Sequence, residues 1–206
     1  MTKHIPIVAF LALPLFFQTA FAHPTPDIPV RSSFGADGSV TIRVEVDPRC
    51  FAADPLNEPY LENALLQSFE QEKKAELFLR TEKLIMDSIE FWMYPVGQVL
   101  PDFKMKFSTF SNKELTWNQG DRAANTLQCA ETPVVITAEW KTDASRLSAY
   151  QIKAKKAGKF SIRFINELSG QEQPLNVLFP GEASYKLDLT SWAESVGAKA
   201  SQATKN

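Results

Sequence analysis

The chain has 206 residues, with 22 Lys and Arg against 24 Asp and Glu, two His and two Cys. Near-neutral charge excludes the concentrated basic surface that phosphate backbones require, so nucleic acid is not an expected partner. The apolar and aromatic content suffices for one packed core at this length.

Residues 1–22 read as a signal peptide. Lys3 supplies a positive start, "IPIVAFLALPLFF" an apolar stretch, and Ala20 and Ala22 the small-x-small pattern of a cleavage site. The stretch is short for a membrane span and is broken by Pro6 and Pro14. Cleavage after Ala22 removes His4 and leaves His23 as the first residue and the one histidine of the mature chain. The expected product is soluble and periplasmic or secreted.

Residues 23–190 are expected to form a single domain. Its first strand is "SVTIRVEV", where Val40, Ile42, Val44 and Val46 alternate with polar residues. "DPRCFAADPLNEP" then breaks the pattern, and Asn57 reads as a helix start. A helical insertion is expected over residues 57–84: Leu61, Leu65 and Phe69 share one helical face, and "EQEKK" interrupts it, which predicts two helices. Glu70 with Lys74 and Glu76 with Arg80 have i,i+4 spacing on the exposed side. These four charges are the candidate partner-binding residues.

From Ile85 the period returns to two. "IMDSIEFWMYP", "FKMKFSTF", "PVVITAEWK", "AYQIKAKKAGKFSIRFIN", "PLNVLF" and "SYKLDLT" read as strands, with turns at Ala157-Gly158, Ser169-Gly170 and Pro180-Gly181. Lys153, Lys155, Lys156 and Lys159 are assigned to the solvated tip of a hairpin at Ala157-Gly158; Phe91, Trp92 and Tyr94 are expected in the core, with the lining of a ligand groove as the alternative. Strands of this number and spacing predict a mainly β fold, an immunoglobulin-like antiparallel β-sandwich carrying the helical insertion. Residues 191–206 are small and polar and are expected to form a C-terminal tail that frays.

Cys50 and Cys129 are an even pair in an oxidising compartment, and a disulfide between them is expected. Two widely spaced thiols with one distant histidine match no zinc spacing.

Catalytic motifs are missing from the sequence. It has no G-x-S-x-G elbow, no H-E-x-x-H and no phosphate-binding glycine loop. Asp47, Asp54, Asp87, Glu90 and Asp102 stand at element ends, where carboxylates cap turns. The chain is therefore expected not to be an enzyme.

"HPTPDIPVR", "VEVDPRCF" with the following "DP" and "PYL", and "VLFPGEASYKLDLT" together resemble exported soluble proteins that accompany membrane proteins of the HupE/UreJ type, or the extracytoplasmic domains of those proteins. Those membrane proteins are similar to nickel or cobalt permeases and to accessory proteins of hydrogenase and urease operons. The resemblance implies a membrane or other envelope partner and no enzyme activity, and the protein is expected to differ from fused versions in being without their membrane half.

Two functions follow. One is a non-catalytic interaction protein acting with such a membrane protein. The alternative is a periplasmic copper- or nickel-binding protein. In it the His23 amine and imidazole close a chelate ring and Asp27, or a thioether of Met86, Met93 or Met105, completes the ligand set.

Overall fold

The computed structural model describes residues 26–109, 133–143 and 146–203, with side chains as far as residue 196. The expected signal segment 1–22, His23 and Cys129 lie outside the described residues. The described strands are β1 (Ile28–Phe34), β2 (Ser39–Val46), β3 (Ile89–Tyr94), β4 (Gly97–Val99), β5 (Lys104–Thr109), β6 (Val134–Asp143), β7 (Ala149–Ala154), β8 (Ile162–Leu168), β9 (Gln171–Glu172), β10 (Asn176–Leu178) and β11 (Leu187–Asp188). The helices are α1 (Asn63–Gln67), α2 (Gln71–Ser88) and α3 (Thr190–Ala203), with a 3-10 turn at Pro48–Phe51.

The chain is mainly β, and its strands form two sheets packed as a sandwich. The larger sheet runs β10-β8-β1-β2-β6-β5, with β9 paired to β8; the smaller runs β11-β7-β3-β4. All pairs are antiparallel except β1 with β8, which is parallel, with Val30 opposite Phe164 and Ser32 opposite Asn166. The core is built where inward residues of both sheets meet: Ile28, Val30, Phe34, Ile42, Val44 and Phe164 from one, and Phe91, Met93, Tyr150 and Ile152 from the other. Ser32 Oγ and Tyr150 Oη share a 2.7 Å hydrogen bond inside it, so neither hydroxyl is left unpaired.

β2 spans the expected residues, because its alternation is that of a half-buried strand. β1 carries no comparable signal. Pro29 and Arg31 interrupt its pattern, yet Ile28, Val30, Ser32 and Phe34 face inward, while Arg31 is held outside by Glu167 at 2.8 Å and by Glu172. Ser169 (φ 50°) and Gly170 (φ 83°) close the β8–β9 hairpin, as a two-residue turn with two positive φ angles demands.

The first strand is β1 and not the expected Ser39–Val46, and four further expectations about the elements need correction. The insertion is helical but does not begin at Asn57, whose side chain donates to Asp54 Oδ2 at 2.7 Å while Leu56 N–H donates to Oδ1, an Asx turn; α1 starts at Asn63. Its second helix continues past residue 84 to Ser88, because Thr81, Ile85 and Ser88 are buried at helical spacing.

Ala157-Gly158 is not a β-hairpin either. β7 and β8 lie in different sheets, and the turn between them arches across the sandwich. Lys155 N–H donates to Ser88 O at 2.8 Å, and Lys155 Nζ donates to Met86 O at 2.7 Å, placing a cation on the C-terminal carbonyls of α2. Lys155 therefore closes a helix instead of capping a solvated tip.

The fourth correction concerns the tail. Residues from Thr190 are helical, Trp192 and Val196 enter the main core, and Trp192 Nε1 donates to Gly35 O at 2.8 Å. Gly38 makes room for this packing, since a Cβ there would lie 2.8 Å from Val196 Cγ1. Among the described residues, no helix is long and apolar enough to cross a membrane.

Candidate functional site

The helical insertion is pinned to the sandwich at both sides. Val134 N–H donates to Leu61 O at 2.8 Å, and Leu61, Leu66 and Val134 form a second small core beside Phe69, Leu77 and Phe107. Phe78 stacks on Phe107 with centroids 4.7 Å apart. On the other side Arg80 Nη2 donates to Phe51 O at 2.9 Å and its guanidinium lies 4.7 Å from the Phe51 ring centroid. α2 is thus fixed to β5 and to the 3-10 turn.

What the helices leave outside is amphipathic. Leu65 is 53% exposed and Leu79 66% exposed. An open groove at the α1–α2 junction is lined by Leu65, Phe69, Glu70, Glu72, Lys73 and Glu76. Lys73 Nζ sits 3.7 Å from the centroid of the Phe69 ring, and the lining holds three carboxylates against this one ammonium, beside the apolar Leu65 and Phe69.

The four candidate charges have unequal roles here. Glu70 and Glu76 line the groove. Glu76 approaches Arg80 at 4.0 Å, but Arg80 is chiefly a clamp on Phe51. Lys74 donates its backbone N–H to Glu70 O at 3.1 Å, and no Glu70–Lys74 ion pair forms among the described residues. Glu72 and Lys73, missed from the sequence, belong to the groove; their signal was position, beside Phe69 where two helices meet. Leu79 was legible as an apolar residue off the stripe made by Leu77, Thr81, Leu84 and Ile85.

Asp27 is engaged within the fold. Its two oxygens accept hydrogen bonds from Ser161 Oγ and Arg163 Nη2. Among the described residues no three His, Cys, Asp or Glu side chains stand close enough to hold a metal ion.

The expected Cys50 disulfide is not present: Cys50 is a free, buried thiol, and Cys129 lies outside the described residues. Burial, reinforced by the Asp47 carboxylate, pushes the thiol up to about 12, so little thiolate exists at neutral pH. Iodoacetamide is expected to leave Cys50 unmodified in the native protein and to alkylate it after unfolding without reductant. Peptide mass mapping checks this, and an unlabelled Cys50 in the unfolded, unreduced chain overturns it.

No family model, curated protein or solved structure matches the chain.

Proposed function

We propose that this protein is a non-catalytic, exported interaction module whose helical insertion docks on an envelope membrane protein of the HupE/UreJ type. The observation that supports the reading best is the α1–α2 groove. It joins apolar Leu65 and Phe69 with an excess of carboxylates on helices anchored at both sides, with Leu65 and Leu79 turned to solvent. Such a surface suits a basic exported loop of the partner. The carboxylates steer the approach, and the apolar side chains supply the contact that slows departure.

The test uses the HupE/UreJ-type membrane protein in nanodiscs, with association followed by surface plasmon resonance. Replacing Glu70, Glu72 and Glu76 with lysine is expected to slow association by about tenfold or more and to remove most of its salt dependence, as loss of electrostatic steering does. Leu79→Ser is expected to act mainly on dissociation. Equal binding by the wild-type and triple-lysine proteins, or no binding by either, sinks the proposal.

A further inference from the structure

On β3, Ile89, Phe91 and Met93 point into the core, so Glu90, Trp92 and Tyr94 stand half-buried on the outer face of the small sheet, and of the three aromatics expected in the core only Phe91 is there. Register places Trp92 opposite Gln151 of β7 and Gln98 of β4, Glu90 opposite Lys153, and Tyr94 opposite Ala149. Because Ala149 is small, the Tyr94 ring lies across β7, where its hydroxyl donates to Gln151 Oε1 at 3.3 Å. Trp92 is held along its own strand by Nε1 donating to Glu90 Oε2 at 2.9 Å. The two rings end with centroids 6.3 Å apart and planes within 27°.

Each ring carries a cation. Lys153 Nζ is 3.8 Å from the Trp92 centroid and Lys186 Nζ 3.6 Å from that of Tyr94. Neither ammonium forms an ion pair among the described residues; the two carboxylates of this face, Glu90 opposite Lys153 and Asp188, keep their charge and accept hydrogen bonds from the Trp92 indole and the Thr190 N–H. The face therefore offers two oriented aromatic rings, two ammonium groups held on the ring faces and not in ion pairs, and side-chain amides at Gln98 and Gln151.

We propose that this face binds an acidic polysaccharide, a chain of uronic acids. A pyranose ring has an apolar C–H face that stacks on an aromatic ring, hydroxyls that the flanking amides bind, and, when oxidised to a uronic acid, one carboxylate per sugar. The two ring centroids stand 6.3 Å apart, and each ring has one ammonium on its face. Single-stranded nucleic acid carries a phosphate charge on every nucleotide and calls for denser basic surface than two lysines give. On binding, the ammonium groups leave the ring faces for the carboxylates while the sugars take their place. The surface is separate from the helical insertion, and its test is independent of the docking partner.

The probe is an oligogalacturonate, titrated calorimetrically into the full protein at low and at physiological salt, with the methyl-esterified oligomer and single-stranded DNA as comparisons. Binding to the free acid is expected, weakening with salt, with the methyl ester at least tenfold weaker. Trp92→Ala and the double variant Lys153→Gln, Lys186→Gln are each expected to weaken binding tenfold or more. The glutamine pair leaves the backbone and core untouched, so it remains informative should Trp92→Ala fold poorly. Absence of binding to the oligogalacturonate overturns the proposal. So does equal affinity for acid and ester, or tighter binding of the DNA through the same residues.

Discussion

Asp47→Ala is expected to lower the stability of the folded protein by about 3–5 kcal/mol, the cost of breaking a buried ion pair from one side. Asp47 and Arg49 are 5% and 3% exposed. The Asp47 carboxylate accepts from Arg49 N at 2.9 Å, from Nε at 2.8 Å and from Nη2 at 2.7 Å, while the guanidinium carbon lies 3.7 Å from the Tyr60 ring centroid. Arg49 Nη1 already has no hydrogen-bond partner among the described residues. Removing the carboxylate leaves a cation in a dry site with a ring face alone as compensation. The loss corresponds to a fall in Tm of roughly 6–20 °C for a chain of this size. The double variant Asp47→Ala, Arg49→Met removes both charges and is expected to recover most of it, because apolar replacement of a whole buried pair is often close to neutral. Denaturant midpoints for Asp47→Ala, Arg49→Met and the double variant decide the point. A single-variant loss below about 1 kcal/mol overturns the assignment. The damage would extend to function: the same turn ends at Phe51, whose carbonyl anchors Arg80, so loosening it frees one side of the helical insertion.

The same pair shows why some of the structure was legible in the sequence and some was not. Alternation along Val40, Ile42, Val44 and Val46 is a local property of a half-buried strand, and it marked β2 to the residue. β1 depends on Arg31 meeting Glu167 and Glu172 more than 130 residues away, and no window of sequence contains those partners. The arch at Ala157-Gly158 has hairpin composition. Whether two strands pair or part depends on Phe160 entering the core between two sheets, again a tertiary fact. For the small-sheet face, period two in "IEFWMY" separates Phe91 from Trp92 but does not say which is inside when both sides are aromatic. The answer comes from β7, where Ile152 lies opposite Phe91 and Gln151 opposite Trp92. At the helical insertion the charges were legible as helix surface by spacing, whereas the groove depends on the angle at which α1 meets α2. Arg80 looked like its neighbours until Phe51 was placed beside it.

Trp192→Ala is expected to be as damaging as the loss of the buried carboxylate, at about 3–5 kcal/mol, although composition assigns the segment to a fraying tail. Trp192 is 3% exposed and meets Phe34 edge to face with centroids 5.7 Å apart. Phe34 in turn meets Tyr150 edge to face at 5.2 Å, and Tyr150 holds Ser32 across the two sheets. Truncating the indole therefore opens a cavity at the head of a chain of aromatic contacts that ties α3 to both layers, and it leaves Gly35 O without its 2.8 Å donor. Trp192→Phe separates the two effects. It keeps most of the ring and loses the N–H, so it is expected to cost only about 1 kcal/mol. Deleting residues 190–206 removes Val196 as well and is expected to destabilise at least as much as the alanine variant. Urea denaturation followed by circular dichroism measures all three. A fraying tail predicts midpoints indistinguishable from wild type, whereas a helix that completes the core predicts the order Trp192→Phe, then Trp192→Ala, then the deletion, with midpoints falling in that sequence.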